Sequence, residues 1–227
     1  MSNTAKDIVN KALALLASPP VGHFDPESDE FPDTVAGQTI AGFYDWSVEE
    51  AQSMYSWQEL LMESSVQAEG QRDSWGRNVF PYMQEIPDVL RVLGVRTVGE
   101  EEHPSLYSVI QPTDSNVSYE ISGGKIFSWN NVESLQVSYI GKELDPSKWS
   151  PELSRVVIYT LASNSAFSIT QNGDLSMMLF QKLQEVVLPM AQFMQAGSRT
   201  SVPLNPQQTG FVIPPQGLST PGGQPQE

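Results

Sequence analysis

Cysteine is absent from this chain of 227 residues, and histidine occurs only as His23 and His103. A disulfide framework, a thiolate metal site and a cysteine nucleophile are therefore excluded, and so is a multi-histidine metal site within one chain. Basic residues are also few, with 12 Lys and Arg against 27 Asp and Glu and a formal net charge of −15. This balance argues against binding to nucleic-acid grooves or to anionic lipid, because both require clustered cations.

Long apolar runs are missing as well. The most apolar stretch, residues 186–193, is interrupted by Pro189 and Gln192, so no segment is predicted to span a membrane. The first twenty residues differ from a signal peptide because Asp7 offsets Lys6 and because Lys11 interrupts the apolar stretch. We therefore interpret this segment as a helix of a soluble protein.

Capping signals and helical spacing of apolar residues predict four helices, over residues 4–16, 47–69, 151–165 and 175–196. Capping boxes are predicted at Thr4 (TAKD) and at Ser47 (SVEE). Ser150 precedes a proline at the first helical position, and Asp174 is the expected cap of the last helix. Pro189 should kink that last helix, because proline removes a backbone donor.

Short β-branched and aromatic segments between about residues 80 and 140 predict a meander of antiparallel strands. The expected strands cover residues 80–83, 89–98, 106–110, 117–121, 126–129 and 135–140. Gly123 and Gly124, within the sequence SGGK, predict a tight hairpin turn. Residues 21–45 are acidic and punctuated by Pro and Gly, which predicts a long loop of the functional or partner-contacting kind.

These elements predict an α+β fold, with helices before and after a small antiparallel β-domain and an extended C-terminal arm. The helical segments comprise residues 1–78, including the loop at 21–45, and residues 146–199, and the β-domain comprises residues 79–145. The arm, residues 200–227, has six Pro, four Gly and five Gln, so it cannot build a core of its own. Its apolar residues are the predicted hydrophobic anchor of a docking arm: Phe211, Val212, Ile213, Pro214, Pro215 and Leu218.

Catalytic chemistry has little support in this composition. A carboxylate pair for glycoside hydrolysis stays open, although 27 acids will place some pair at a suitable separation by chance. The run Glu100-Glu101-Glu102-His103 is either a divalent-ion site or a solvated loop, and the loop is the commoner case. The tryptophans pack between elements by default, with subunit contact as the alternative. We therefore predict no enzymatic activity, no cofactor and no metal.

The order of these segments resembles the tail tubular protein A family, the head-to-tail adaptors of short-tailed bacteriophages. The resemblance begins with an N-terminal helix, IVNKAL, that ends in ASPP, and continues with the sequence YMQEIPDVLRVL at residues 82–93. A glycine hairpin follows, carrying YEI and KIF. The strand VSYI then precedes Asp145-Pro146, Trp149 and a Pro-Glu-Leu helix start, and that helix continues through AFSIT.

This resemblance implies that the helices form an antiparallel helical bundle into which the small antiparallel β-domain is inserted. It also implies a structural virion protein located at the head-tail junction and assembled in the host cytoplasm. Adaptors of this family form a dodecameric ring that joins the portal protein to the tail nozzle protein, with tail fibres as a further possible partner. DNA passes through the centre of the ring without specific binding, and no membrane is involved. Two alternatives stay open: a carboxylate-dependent cell-wall hydrolase and an unrelated soluble interaction module.

Overall fold

A computed structural model describes residues 3–26, 28, 32–70, 72–97 and 117–199 of the chain, with side chains to residue 196. Its helices are α1 (Ala5–Leu15), α2 (Val35–Ser53), α3 (Tyr82–Glu85), α4 (Pro151–Thr170), α5 (Gly173–Lys182) and α6 (Leu188–Arg199). Its strands are β1 (Leu61–Gln67), β2 (Asn78–Phe80), β3 (Val89–Thr97), β4 (Tyr119–Ser122), β5 (Lys125–Ser128) and β6 (Ser134–Gly141). All described strand pairs are antiparallel, so the predicted α+β class is confirmed.

The six strands form two three-stranded sheets, in the orders β1-β6-β3 and β2-β5-β4. Both sheets contribute to one apolar core, whose members include Val66, Val95, Leu135, Val137, Phe80 and Ile126. The β4–β5 hairpin is confirmed, because Ser122 pairs with Lys125 across Gly123 and Gly124, whose φ angles are +56° and +74°. Both glycines thus occupy the left-handed region that this turn requires.

The helices build a second core around α4, which contacts α1, α2, α5 and α6. Apolar side chains of α4 such as Leu153, Val157 and Leu161 are fully buried in it. Two of the buried hydroxyls of α4 donate to a carbonyl one turn earlier: Thr160 to Val156 O at 2.9 Å and Ser165 to Leu161 O at 2.7 Å. Because these bonds satisfy the hydroxyl groups, the helix can carry polar residues although it is buried on several faces.

Two of the predicted helix starts are confirmed. The Thr4 hydroxyl accepts from the Asp7 amide at 3.2 Å, and the Asp7 carboxylate accepts from the Thr4 amide at 3.0 Å, which is the reciprocal capping box. Ser150 accepts from the Leu153 amide at 3.1 Å, ahead of Pro151 at the first helical position. The cap of α5 is different from the prediction, since Asn172 rather than Asp174 accepts from the first-turn amides.

The predicted helix over residues 47–69 is wrong in its bounds, and so is the loop predicted over residues 21–45. Helix α2 begins at Val35, where the Thr34 hydroxyl accepts from the Gly37 amide, and it ends at Ser53. Ser47 is a buried residue inside this helix and caps nothing. Residues 61–67 form β1 instead, which pairs with β6. The β-domain therefore takes a strand from the segment 1–78 that we had assigned wholly to helices and loop.

Two smaller differences concern the remaining predicted elements. Strand β2 ends at Phe80, and residues 82–85, of which two were predicted as strand, form a short helix. The last helix is interrupted by a π-helical turn, Leu183–Val187, just before Pro189. Proline lacks the amide hydrogen that an α-helix would direct to the carbonyl four residues earlier. This missing hydrogen bond accounts for the π-helical turn, which stands where we predicted a kink.

Some predictions concern residues outside the described part of the chain. These are the strand at 106–110, the Glu100–His103 run and the whole arm at 200–227. Among the described helices, none combines the length and the apolar character needed to cross a bilayer.

Candidate functional site

The predicted docking residues Phe211, Val212, Ile213, Pro214, Pro215 and Leu218 lie outside the described residues. Within the described ranges, no three His, Asp or Glu side chains are grouped so that they could hold a metal ion. Large apolar side chains, in contrast, are exposed in several places on the described surface. Because a contiguous exposed apolar patch marks a site of protein association, the candidate functional site is an interaction surface.

The first surface, here called the groove surface, is an open groove of about 640 Å³ between α2, α4 and α5. Its apolar members are Phe43, Trp46, Phe167, Met177 and Phe180. Met177 is 72% exposed, Phe167 57% and Trp46 55%, so most of this apolar area faces solvent. Aromatic and methionine side chains of this kind provide large contact area and adapt to a partner's shape.

The groove has this width because α5 is fixed against α4 at one end. Gln171 ends α4 with a positive φ of 56°, and Asn172 then caps α5 by accepting from two of its amides. Ser163 and Ser176 donate to each other's carbonyl oxygens, at 3.4 Å and 2.9 Å, across the two helices. These local bonds hold the walls of the groove at a set distance, which is the geometry a docking site requires.

Helix α2 forms the other wall, and its register is set by Asn164. The Asn164 amide donates to Ser47 Oγ at 3.1 Å and to Glu50 Oε2 at 2.8 Å. Farther along, Lys142 pairs with Glu49 at 2.5 Å, and this hydrogen bond raises the pKa of the Lys142 ammonium. The polar contacts therefore attach α2 both to α4 and to the end of β6.

The second surface, here called the α6 surface, comprises Val186, Met190, Phe193 and Met194. Phe193 is 77% exposed, and the other three are between 52% and 53% exposed. The opposite side of the same helical segment is buried through Leu183, Val187 and Ala191. A helix that is apolar on both sides exposes an apolar face of the kind that marks a protein-association surface.

The α6 surface continues into a small groove of about 180 Å³ against the start of α4, lined by Pro151, Arg155, Met190 and Met194 among others. Gln195, which is 6% exposed, anchors the helix there, because its amide donates to Glu59 at 2.9 Å. The α6 surface is thus presented by a helix whose position is held by a buried polar contact as well as by packing.

The β-domain carries two further exposed tryptophans, Trp75 at 73% and Trp129 at 63%. Arg77 lies next to Trp129, with its guanidinium 4.8 Å from the centre of the Phe127 ring and 5.9 Å from that of Trp129. Asp73 pairs with Arg77 at 2.8 Å, and that hydrogen bond contributes to the raised pKa of the arginine. Stacking and pairing hold the cation in place.

The sequence matches no protein-family model and no curated protein. Function is therefore inferred from the chain's own surfaces.

The tryptophans fall into two groups by burial. Trp57 and Trp149 are buried, and each indole donates to a carbonyl, Ala51 O at 3.1 Å and Glu143 O at 2.9 Å. Trp46, Trp75 and Trp129 are exposed and remain available to a partner.

Sequence reasoning missed the groove surface, because Phe43 and Trp46 fell in the predicted loop or next to it. The sequence does contain a signal for helix α2, which carries both residues. Ile40, Tyr44, Val48 and Ala51 recur at helical spacing after Thr34, which is a good capping residue.

Proposed function

We propose that this chain is a structural virion protein, a head-to-tail adaptor that forms a ring joining a portal to a tail nozzle. The observation that carries the proposal is the pair of separate apolar surfaces, the groove surface and the α6 surface, on the helical part of the molecule. A ring of identical subunits repeats a heterologous contact, in which two different patches of the chain meet, so each subunit must present both.

Further support comes from the charge and from the order of segments. A net charge of −15 suits a channel wall that DNA passes without adhering, because the phosphates are repelled. The resemblance to tail tubular protein A adaptors rests on an order of elements that includes a β-domain between helices. We propose that the arm at 200–227 docks on the portal or on a neighbouring subunit.

The test is size-exclusion chromatography with light scattering, with the chain run alone and then mixed with its candidate portal ring. We expect a discrete complex with about twelve copies per portal ring, as the resemblance implies. A chain that stays at 25.1 kDa in the presence of the portal would contradict the proposal. It would favour the plain interaction module instead.

The role of the arm is tested separately with a chain that ends at Arg199. We expect this deletion to abolish portal binding, because it removes the apolar residues that we predict to anchor the chain on the portal. A second variant replaces Phe211, Val212 and Ile213 with serine and keeps the arm's length. Portal binding that is unchanged in both variants would show that the arm has no part in docking.

A further inference from the structure

The groove surface differs in chemistry from the acidic chain around it. The described residues that line it carry no charge, and four of them are aromatic: Phe43, Trp46, Phe167 and Phe180. The rings of Phe43 and Trp46 lie against each other, with 6.4 Å between their centres and 46° between their planes. A charged occupant would lose its hydration there without gaining an ion pair, so the groove suits an uncharged one.

The polar side chains in the lining already use their hydrogen-bond donors inside the protein. The Asn164 amide donates to Ser47 and Glu50, and Ser163 and Ser176 donate to each other's carbonyl oxygens. An occupant therefore contributes mainly apolar area. A groove of about 640 Å³ is within the usual range for ligand sites and can take several side chains at once.

The arm at residues 200–227 has the matching chemistry. Its single charged residue is Glu227, and it contains the sequence FVIPP at residues 211–215. Proline-rich segments bind to aromatic-lined grooves, because their restricted backbone loses little entropy on binding and their apolar side chains pack on aromatic rings. The groove surface and the FVIPP segment therefore fit each other in charge and in the type of contact they make.

The α6 surface is a poorer match for the same segment. Its small groove, of about 180 Å³, is lined by the charged residues Glu152 and Arg155 as well as by apolar ones. The α6 surface contributes one aromatic ring, that of Phe193, whereas the groove surface contributes four. The aromatic, uncharged groove surface is therefore the better site for the FVIPP segment.

The place where the arm begins lets it return to the groove of its own chain. Helix α5, the π-helical turn and α6 follow one another from Gly173 to Arg199, and they run antiparallel to α4. At about 1.5 Å per residue, Phe180 in the groove is at most about 29 Å from Arg199. Phe211 follows Arg199 by twelve residues, which can extend over about 40 Å. The arm is therefore long enough for the return and for the reversal of direction.

The covalent connection favours the chain's own arm over the arm of another copy. A segment tethered by a short linker has an effective concentration in the millimolar range, well above the micromolar concentration of a free protein in solution. A contact that is too weak to hold two separate chains together can therefore still form within one chain.

We propose that, in the free chain, the FVIPP segment at residues 211–215 binds in the groove surface of the same chain. Its apolar side chains pack on the rings of Phe43, Trp46 and Phe167, so the contact covers an apolar area before assembly. On assembly, the arm leaves this groove for the portal or for a neighbouring subunit. That release rests on the proposed function, whereas the docking in the free chain does not.

The test uses the full chain without a portal, and the absence of native cysteine allows a single spin label. Gln216→Cys carries a nitroxide next to the FVIPP segment, and the methionine methyl groups are labelled with carbon-13. We expect the NMR signal of Met177, in the groove, to be at least about twofold weaker than after reduction of the nitroxide, since the tethered arm is mostly docked. The signal of Met83, in the β-domain, should keep its intensity.

A pair of matched double substitutions tests which part of the arm binds. In the spin-labelled chain, Phe211→Ser combined with Ile213→Ser should restore the Met177 signal, because the apolar anchor is lost. Val202→Ser combined with Leu204→Ser makes an equal chemical change elsewhere in the arm and should leave the signal weakened. If the first pair does not restore the signal, the FVIPP segment is not the anchor and the proposal is wrong.

A shortened arm tests the return to the same chain. Deleting residues 203–208 leaves six residues between Arg199 and Phe211, which extend over only about 20 Å and cannot reach the groove. We expect this deletion to restore the Met177 signal. Replacing residues 203–208 with six alternating Gly and Ser residues keeps the length and should leave the signal weakened.

Three further outcomes would overturn the proposal. The first is a Met177 signal that the nitroxide does not affect, and the second is weakening of Met190, in the α6 surface, without weakening of Met177. The third comes from mixing a spin-labelled chain without carbon-13 with a carbon-13 chain without the spin label. Weakening of Met177 in that mixture would show that the arm binds another copy. Because no portal is present, none of these outcomes bears on ring formation.

Discussion

The side-chain amide of Asn164 donates to Oε2 of Glu50 at 2.8 Å, and this contact joins α4 to α2 at the wall of the groove surface. The same amide donates to the fully buried Ser47 at 3.1 Å. One side chain thus satisfies a buried hydroxyl and sets the register of two helices that come from distant parts of the chain.

Replacing Asn164 with alanine should therefore destabilise the protein by about 1 to 3 kcal/mol, because Ser47 and Glu50 lose their donor in a partly buried place. Urea unfolding followed by circular dichroism measures the change. The matched control is Gln181→Ala, which removes an exposed contact to Glu185 and should cost less than about 0.5 kcal/mol. Equal losses in the two variants would show that the Asn164 contact has no special role.

Phe193→Gln should leave folding stability within about 0.5 kcal/mol, because the side chain is 77% exposed, yet weaken the association of subunits into a ring by more than about 1 kcal/mol. Light scattering of the mixture and thermal unfolding of the free chain supply the two measurements. Val35→Gln is the control, since Val35 is 80% exposed but lies at the start of α2 outside both apolar surfaces. If both variants assemble on the portal with the same copy number as the parent, the α6 surface is not a subunit interface.

The β4–β5 turn allows a comparison of neighbouring glycines. Gly123→Ala meets open space, so only its positive φ is unfavourable, at about 1 to 2 kcal/mol. Gly124→Ala adds a clash, because a Cβ there would lie 2.6 Å from the Met83 sulfur and 3.2 Å from the Met83 Cβ. We expect Gly124→Ala to be the more destabilising change in thermal unfolding.

The Gly124 effect has an internal check. Combining Gly124→Ala with Met83→Ala should recover the part of the loss that comes from the clash, since much of the Met83 side chain is removed. If the double variant recovers none of the stability lost in Gly124→Ala, the whole loss comes from backbone strain at the positive φ.

Asp7 should make folding stability depend on pH in the acidic range. Hydrogen bonds from the Thr4 backbone amide and from its hydroxyl lower the pKa of Asp7 below its usual 3.8. A carboxyl whose pKa is lower in the folded state stabilises the protein above its unfolded pKa, and this contribution disappears as pH falls through the folded value. The difference in unfolding free energy between the parent and Asp7→Asn should therefore be constant above about pH 5 and shrink as the pH falls below 3.8.

The contributions of the two donors to Asp7 can be measured separately by repeating the comparison in a Thr4→Val variant. In Thr4→Val, the hydroxyl donor is gone while the backbone amide remains, so the acid-dependent difference should become smaller without vanishing. A difference of the same size in both backgrounds would mean that the hydroxyl does not contribute to the lowered pKa.

Local chemistry was sufficient wherever a few neighbouring residues determine the conformation. The Thr4 and Ser150 caps and the turn at Gly123 and Gly124 were predicted and are confirmed, because each depends on bonds or dihedral angles within about four residues. The α+β class follows from the sum of such signals.

Residues 61–67 show where local chemistry was insufficient. Their apolar and polar residues, LMESSVQ, fit the end of an amphipathic helix as well as a strand. Pairing with β6 decided the matter, since it aligns Val66 with Leu135 and buries both in the core of the β-domain. No pattern within seven residues contains that information.

The sequence by itself thus determined the fold class, most helix and strand positions, the hairpin turn and the acidic character of the surface. Only the tertiary structure decided that Phe43, Trp46, Phe167 and Met177 share one exposed groove and that the Tyr44 hydroxyl is buried with no hydrogen-bond partner among the described residues. The physical reason is that burial depends on which distant segments pack together. A side chain's exposure is therefore a property of the folded chain and not of its neighbours in sequence.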